Sequence, residues 1–346
     1  MNVGGYFACS DWIDHGLLLH GGVPTATSGK PSNSLFLLPK TSEFKEVQLL
    51  DNQGPHLSHH QSCIAKFGIE SHETLILVGG WNGRTRSSKI FAFDLVTKSW
   101  SDLKENSKGH YRVDPPVGLS GHTANLINSS LICVIGREGG IKTQRKFGQM
   151  FLLHLDLKNK LYWYTESPIM PKSRSGHTAS LAPPINNTCN FLIFGGRDID
   201  SLFTCGKWES KMLDTVPRNK VELKKKLLNM PLKSIGKMIG LRYHDMLVIT
   251  SDFILIHGGR HFQAISGKDV NGHFYICSLG KGSKETWFQI LTSEILPRFG
   301  HSIALLNDSI YIVGGFSSES DKKATKTVII PLPDLPDAIG DRNTAD

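Results

Sequence analysis

Six times along the chain a run of consecutive apolar residues ends in glycine: GLLLHGG (16–22), LILVGG (75–80), LICVIGR (131–137), FLIFGG (191–196), FILIHGG (253–259) and IYIVGG (310–315). Apolar runs of this length, bounded by turn residues, predict short buried strands. The first glycines stand at 21, 79, 136, 195, 258 and 314, so the pattern steps by 58, 57, 59, 63 and 56 residues. Ahead of five of the runs lies a histidine-bearing segment, LSHHQSCI, LSGHTANL, RSGHTASL, LRYHDMLV or RFGHSIAL, with the repeated histidine at 60, 122, 177, 244 or 301. Behind several of them comes an alternating segment closed by an aromatic: IFAFDLVTKSW to Trp100, MFLLHLDLKNKLYW to Trp163, FYICSLGKGSKETW to Trp287, and a weaker SLFLLPKTSEF to Phe44.

Strands repeating at this period, with Gly and Asn turns between them, predict antiparallel sheets of three or four strands per unit. A sheet that small cannot cover both of its faces. Packing six of them radially buries the faces and leaves only short edges. The expected fold is therefore all-β, a six-bladed propeller forming one domain over residues 1–335, with 336–346 a flexible tail. The double glycines supply backbone angles with φ > 0 where the chain turns off each buried strand. The closing aromatics are expected to fill the wedges between blades.

The fourth unit departs from the pattern. Val221, Leu223, Leu227 and Leu228 have helix-like spacing behind a proline, predicting a helix over Val221–Met230. Gly196 to His244 spans 48 residues, against 42 for both Gly80 to His122 and Gly259 to His301. That excess is too small for a second domain, so the helix is expected to replace the outer strand of blade four. Lys220, Lys224, Lys225 and Lys226 read as its solvated face, ahead of a docking or nuclear-targeting patch. The last unit ends in ATKTVIIPLPD without an aromatic, which leaves its outer strand open and the ring either imperfectly closed there or closed by the N-terminal residues.

The S-G-H segment, the apolar run ending in G-G and the alternating segment ending in Trp together resemble kelch repeats over nearly the whole chain. The third unit departs from that pattern with Gly136-Arg137 in place of a double glycine. In kelch propellers, ligands meet the face formed by the residues just after the double glycine and those just before the histidine strand. The resemblance therefore implies a partner-binding mouth made of Trp81, Arg137, Arg197, Arg260 and Phe316 after the glycines. Before the histidines it adds Arg174, Ser175, Arg242, Arg298 and Phe299. Guanidinium groups hold carboxylates bidentately, so an acidic peptide or a free C-terminal carboxylate is the matching ligand class. The competing reading is that some of these arginines pair structurally.

Composition narrows the rest. The chain has 346 residues, 39% hydrophobic and 20% charged, enough for a sizeable core. Its 39 Lys+Arg against 31 Asp+Glu give a net charge of +8, a mild bias toward acidic partners and not a nucleic-acid signature. No leader segment or apolar stretch of membrane length is present, so a soluble monomer in the cytoplasm or nucleus is expected. The six cysteines contain no C-x-x-C pair and read as buried free thiols. GREGG at 136–140 lacks the G-K-S/T of a phosphate loop and leads into a strand, which argues against nucleotide binding. Five histidines spread one per blade do not make a metal site, and no nucleophile, base and acid stand out. The expected function is a non-catalytic protein-interaction module without cofactor. The alternatives are a metal-dependent or small-molecule enzyme at the propeller mouth, and the substrate-recognition subunit of a ubiquitin ligase.

Overall fold

The computed structural model describes residues 9–13, 16–25, 30–39, 47–67, 72–107, 112–136, 150–167, 174–181, 188–196, 202–209, 218–236, 238, 240–261, 270–279, 285–306, 309–318 and 326–333. Among these the strands form successive antiparallel sheets in chain order. The first holds Cys9–Ile13, Gly16–His20, Leu35–Pro39 and Gln48–Asp51; the second, Gln61–Phe67, His72–Trp81, Arg86–Asp94 and Ser99–Asp102. The third runs through Thr123–Asn128, Leu131–Ile135, Met150–Asp156 and Leu161–Glu166, with Lys104–Glu105 added in parallel at its outer edge. The fourth is Thr178–Leu181, Thr188–Phe194 and Leu202–Glu209. The fifth is Asp245–Thr250, Phe253–His257, Phe274–Leu279 and Glu285–Ile290, with Leu232–Ile235 outermost. The last is Phe299–Leu306, Ser309–Phe316 and Val328–Pro331, and a two-stranded ribbon pairs Leu241–Arg242 with Arg260–His261. The protein is an all-β propeller. Its blades are less uniform than the repeat predicts, running from three strands to five.

The apolar runs are continuous because these second strands are buried on both faces, and alternation sends successive residues to opposite neighbours. Leu75 and Leu77 pack back on Leu18 and Leu35 of the first sheet, while Ile76 and Val78 pack forward on Ile132 and Val134 of the third. Cys133 and Ile135 then meet Phe191 and Ile193, and Leu192 and Phe194 meet Ile254 and Ile256. Phe253 and Leu255 meet Ile310 and Ile312. Tyr311 and Val313 meet Leu17 and Leu19, which joins the last sheet to the first. The expected free thiols are found at Cys63, Cys133 and Cys277, all buried within this core.

Two expectations are corrected. The helix forms over Arg218–Leu228, but it packs on the fifth sheet and does not stand in for an outer strand of the fourth. Leu223 and Leu227, four residues apart, share its inner face, and Leu227 is fully buried against Ile249 and Phe253. Val221 and Leu228 lie on another face and are exposed. The expected solvated lysine face holds only in part: Lys225 is exposed, Lys226 is buried, and Lys224 is half-buried, its Nζ binding Asp252 Oδ2 at 2.8 Å over the Phe253 ring. The chain leaving the helix becomes the outermost strand of the fifth sheet, with Leu232 opposite Ile290. Second, Trp100 and Trp287 fill wedges as expected, Trp100 against His20 of the first sheet and Trp287 against Phe194 of the fourth, but Trp163 does not. Alternation turns it to stack on His154 at 5.0 Å, and its neighbours Tyr162 and Tyr164 are buried in the wedge instead.

Candidate functional site

Four of the five repeated histidines interlock with two glycines, one in the preceding sheet and one in their own; His122, whose unit has Arg137 in place of the second glycine, meets only Gly79 of the preceding sheet. A Cβ on Gly195 would come within 2.8 Å of His244 Cε1 in the next sheet, and one on Gly196 within 2.9 Å of the Cβ of His177 in the same sheet. Both glycines are left-handed, with φ of +66° and +98°. The same pairs recur, among them Gly258 with His301 and Gly259 with His244. The imidazoles latch neighbouring sheets: His60 Nε2 lies 3.0 Å from His20 Nδ1, His177 Nε2 3.0 Å from Thr123 Oγ1, His244 Nε2 2.7 Å from Thr178 Oγ1, and His301 Nε2 2.9 Å from His257 Nδ1. Burial holds these rings neutral. It lowers His122 to about 4, His20, His244 and His257 to about 3, and His60, His177 and His301 well below the ordinary value. The histidines are therefore structural, and among the described residues no three His, Cys, Asp or Glu side chains group to hold a metal.

The residues just before these histidines are linked into a partial ring of backbone hydrogen bonds at one end of the central channel. Gly121 N–H donates to His59 O, Gly176 N–H to Gly121 O, Tyr243 N–H to Gly176 O and Gly300 N–H to Tyr243 O, at 2.7–3.3 Å. All five residues are left-handed, His59 and Tyr243 included at φ of 54° and 57°. Below the ring, the starts of the first strands enclose a cavity of about 180 Å³.

The end of the propeller that carries this ring is also the face implied by the kelch resemblance. Val23, Trp81 and Phe316, each just after a double glycine, join Phe299, Tyr243 and Val270 in one apolar cluster. Arg260, itself buried, lies over the Phe299 ring at 4.8 Å and the half-buried Arg242 over the Tyr243 ring at 5.2 Å. The other expected residues behave differently. Phe299 and Phe316 are fully buried and form the floor of the cluster. Ser175 is buried beside Gly196. Arg174 points inward, its Nη1 donating to Gly195 O at 3.1 Å. Arg298, 2% exposed, donates to the carbonyls of Ile312, Gly314 and Lys326. Arg137 and Arg197 lie outside the described residues, as does the expected tail at 336–346. His59, Tyr243 and Asp245 were not singled out from the sequence, although the breaks in S-G-H at LSHHQ and LRYHD marked all three.

Comparison with known proteins supports the repeat reading. Kelch domain-containing protein 9 of Mus musculus is 29% identical over 332 residues, covering 94% of this chain and 91% of that protein. Its Homo sapiens counterpart is 29% identical over 318 residues, covering 90% and 87%. Putative protein tag-53 of Caenorhabditis elegans is 20% identical over 240 residues, 67% of this chain but 16% of that protein. The solved structure of YjhT matches with a TM-score of 0.57 at 14% identity, over 95% of each chain, and shows the fold alone. A family model described as the Attractin/LZTR1 beta-propeller matches residues 17–325, nearly the whole span of the interlocked sheets, and the chain belongs to that family.

Proposed function

We propose that the chain is a non-catalytic protein-interaction module, a ring of six blades that binds an acidic segment of a partner protein at the face carrying Trp81, Arg242 and Arg260. The observation that carries this reading is the convergence there of aromatic and guanidinium groups from several sheets. Trp81, Arg242 and Tyr243 are half-buried, so each keeps surface to offer. Among the described residues no carboxylate lies within 4 Å of the Arg242 side chain, so an incoming acidic group has a cation to meet. Arg174 and Arg298 support the face from within, and Arg137 and Arg197 are assigned to its rim by their repeat positions. The six-blade count is supported by the apolar clusters that link each sheet to the next and the last to the first. The protein works as a monomer in the cytoplasm or nucleus.

The test is affinity capture from cells with the wild type, Trp81→Ala and Arg242→Glu in parallel, with melting temperatures measured on the same preparations. Partners lost from both variants at unchanged melting temperature support this face. Partners retained equally by both would overturn it.

A further inference from the structure

Three of the five residues ahead of the repeated histidines are glycine, at 121, 176 and 300, and two are not. A non-glycine side chain in the left-handed region is strained and persists only where its surroundings demand it. At His59 and Tyr243 the two side chains meet: the rings lie edge to face with centroids 6.3 Å apart, at the mouth of the channel. Gly176 is bare beneath them, since a Cβ there would fall 2.8 Å from the Tyr243 ring. The cavity they adjoin, about 180 Å³, has room for about six waters at ~30 Å³ each. Among the described residues its lining holds one carboxyl, Asp245, and no lysine or arginine. Each Asp245 oxygen accepts one backbone N–H, from Met246 at 2.8 Å and Ile303 at 2.7 Å, which leaves a lone pair on both.

We propose that this channel mouth is a binding site for a small primary ammonium, with Asp245 as its counter-charge and the rings of His59 and Tyr243 as its cover. The neutral histidines leave Asp245 as the one group in the lining that needs a charge partner. Burial pushes its carboxyl up to about 7, and a bound cation would return it to the ionised form. The hydroxyls of Ser62, Thr123, Thr178 and Ser302 and the amide of Gln61 supply acceptors for the remaining ammonium protons. A free amine and the lysine tip of a partner protein share this chemistry.

Calorimetric titration of the full chain at constant ionic strength tests the proposal with three probes: propylammonium chloride, the neutral and slightly larger alcohol 1-butanol, and Nα-acetyl-lysine N-methylamide. Propylammonium should bind saturably and at least tenfold more tightly than butanol. Asp245→Asn, which keeps an oxygen for the Ile303 N–H, should weaken it at least tenfold. Tyr243→Gly, which suits the backbone angle, should weaken it severalfold while the melting temperature is kept. Tighter binding of the lysine compound than of propylammonium assigns the site to a partner's lysine, and the reverse assigns it to a free amine. Absence of saturable propylammonium binding, equal binding of butanol, or unchanged affinity in folded Asp245→Asn would each overturn the proposal. If Asp245→Asn does not fold, the butanol comparison and Tyr243→Gly decide it.

Discussion

Gly195 is held at φ +66°, and a Cβ there would sit 2.3 Å from the Leu241 carbonyl oxygen as well as against His244. Neither neighbour can yield without parting two sheets, so Gly195→Ala should cost on the order of 3 kcal/mol in urea denaturation. Gly236 is the control: it is exposed, a Cβ there meets nothing within 4 Å, and Gly236→Ala should change stability by less than about 0.5 kcal/mol. Equal stability of the two variants would show that the interlock is misassigned. Arg298 makes the complementary residue-scale case. Its guanidinium gathers three carbonyls of the last sheet, and burial pulls it down only to about 10, so it stays charged at neutral pH. Arg298→Ala should cost roughly 3 kcal/mol through carbonyls left without donors, and Arg298→Lys should restore little because an ammonium lacks the fork. Partner binding by the surviving folded fraction should be unchanged. The sequence marked Arg298 and Arg242 alike; only their surroundings separate a frame arginine from a surface one.

At the scale of elements, the helix Arg218–Leu228 was legible and its position was not. Apolar spacing encodes which residues share a helix face, but the partner of that face lies elsewhere in the chain, here the Thr250–Phe253 turn of the fifth sheet. Leu227→Ala should therefore lower stability by about 2–4 kcal/mol, and Leu228→Ala, at an exposed position, by a few tenths. If the two variants melt alike, the helix does not dock on the fifth sheet. The wedge aromatics teach the same lesson. One residue of register decides whether Trp163 or its tyrosine neighbours face the second sheet, and pairing across strands sets that register.

For the whole molecule, the buried histidines dominate the response to acid. An unfolded histidine takes up its proton near pH 6.5, whereas in the fold His122 does so only near 4 and His20, His59, His244 and His257 near 3. Between those values the unfolded chain binds more protons, so stability falls as pH drops, by about 1.4 kcal/mol per histidine per pH unit. Asp245 acts in the opposite sense. Its folded value near 7 exceeds the unfolded one, so its contribution grows as pH falls from about 7 to 4, and it offsets roughly one histidine. Several imidazoles against one carboxyl, set beside a typical margin of 5–15 kcal/mol, predict cooperative unfolding between about pH 6 and 5. Tryptophan fluorescence followed through a pH titration checks this, and a melting temperature that is flat from pH 7 to 5 would contradict it.

The repeated runs, the glycine pairs and the histidines were readable without coordinates because each is a local requirement. A strand buried on both faces must be apolar throughout, a left-handed turn favours glycine, and six copies at one period must stack. From these the all-β propeller followed directly. Tertiary structure alone decided which sheet receives the helix, which arginines turn inward to carbonyls, and that His59 and Tyr243, on different sheets, touch across the channel above Asp245. Each of those outcomes depends on where distant segments come to rest against one another, and no single window of the chain contains both sides of such a contact.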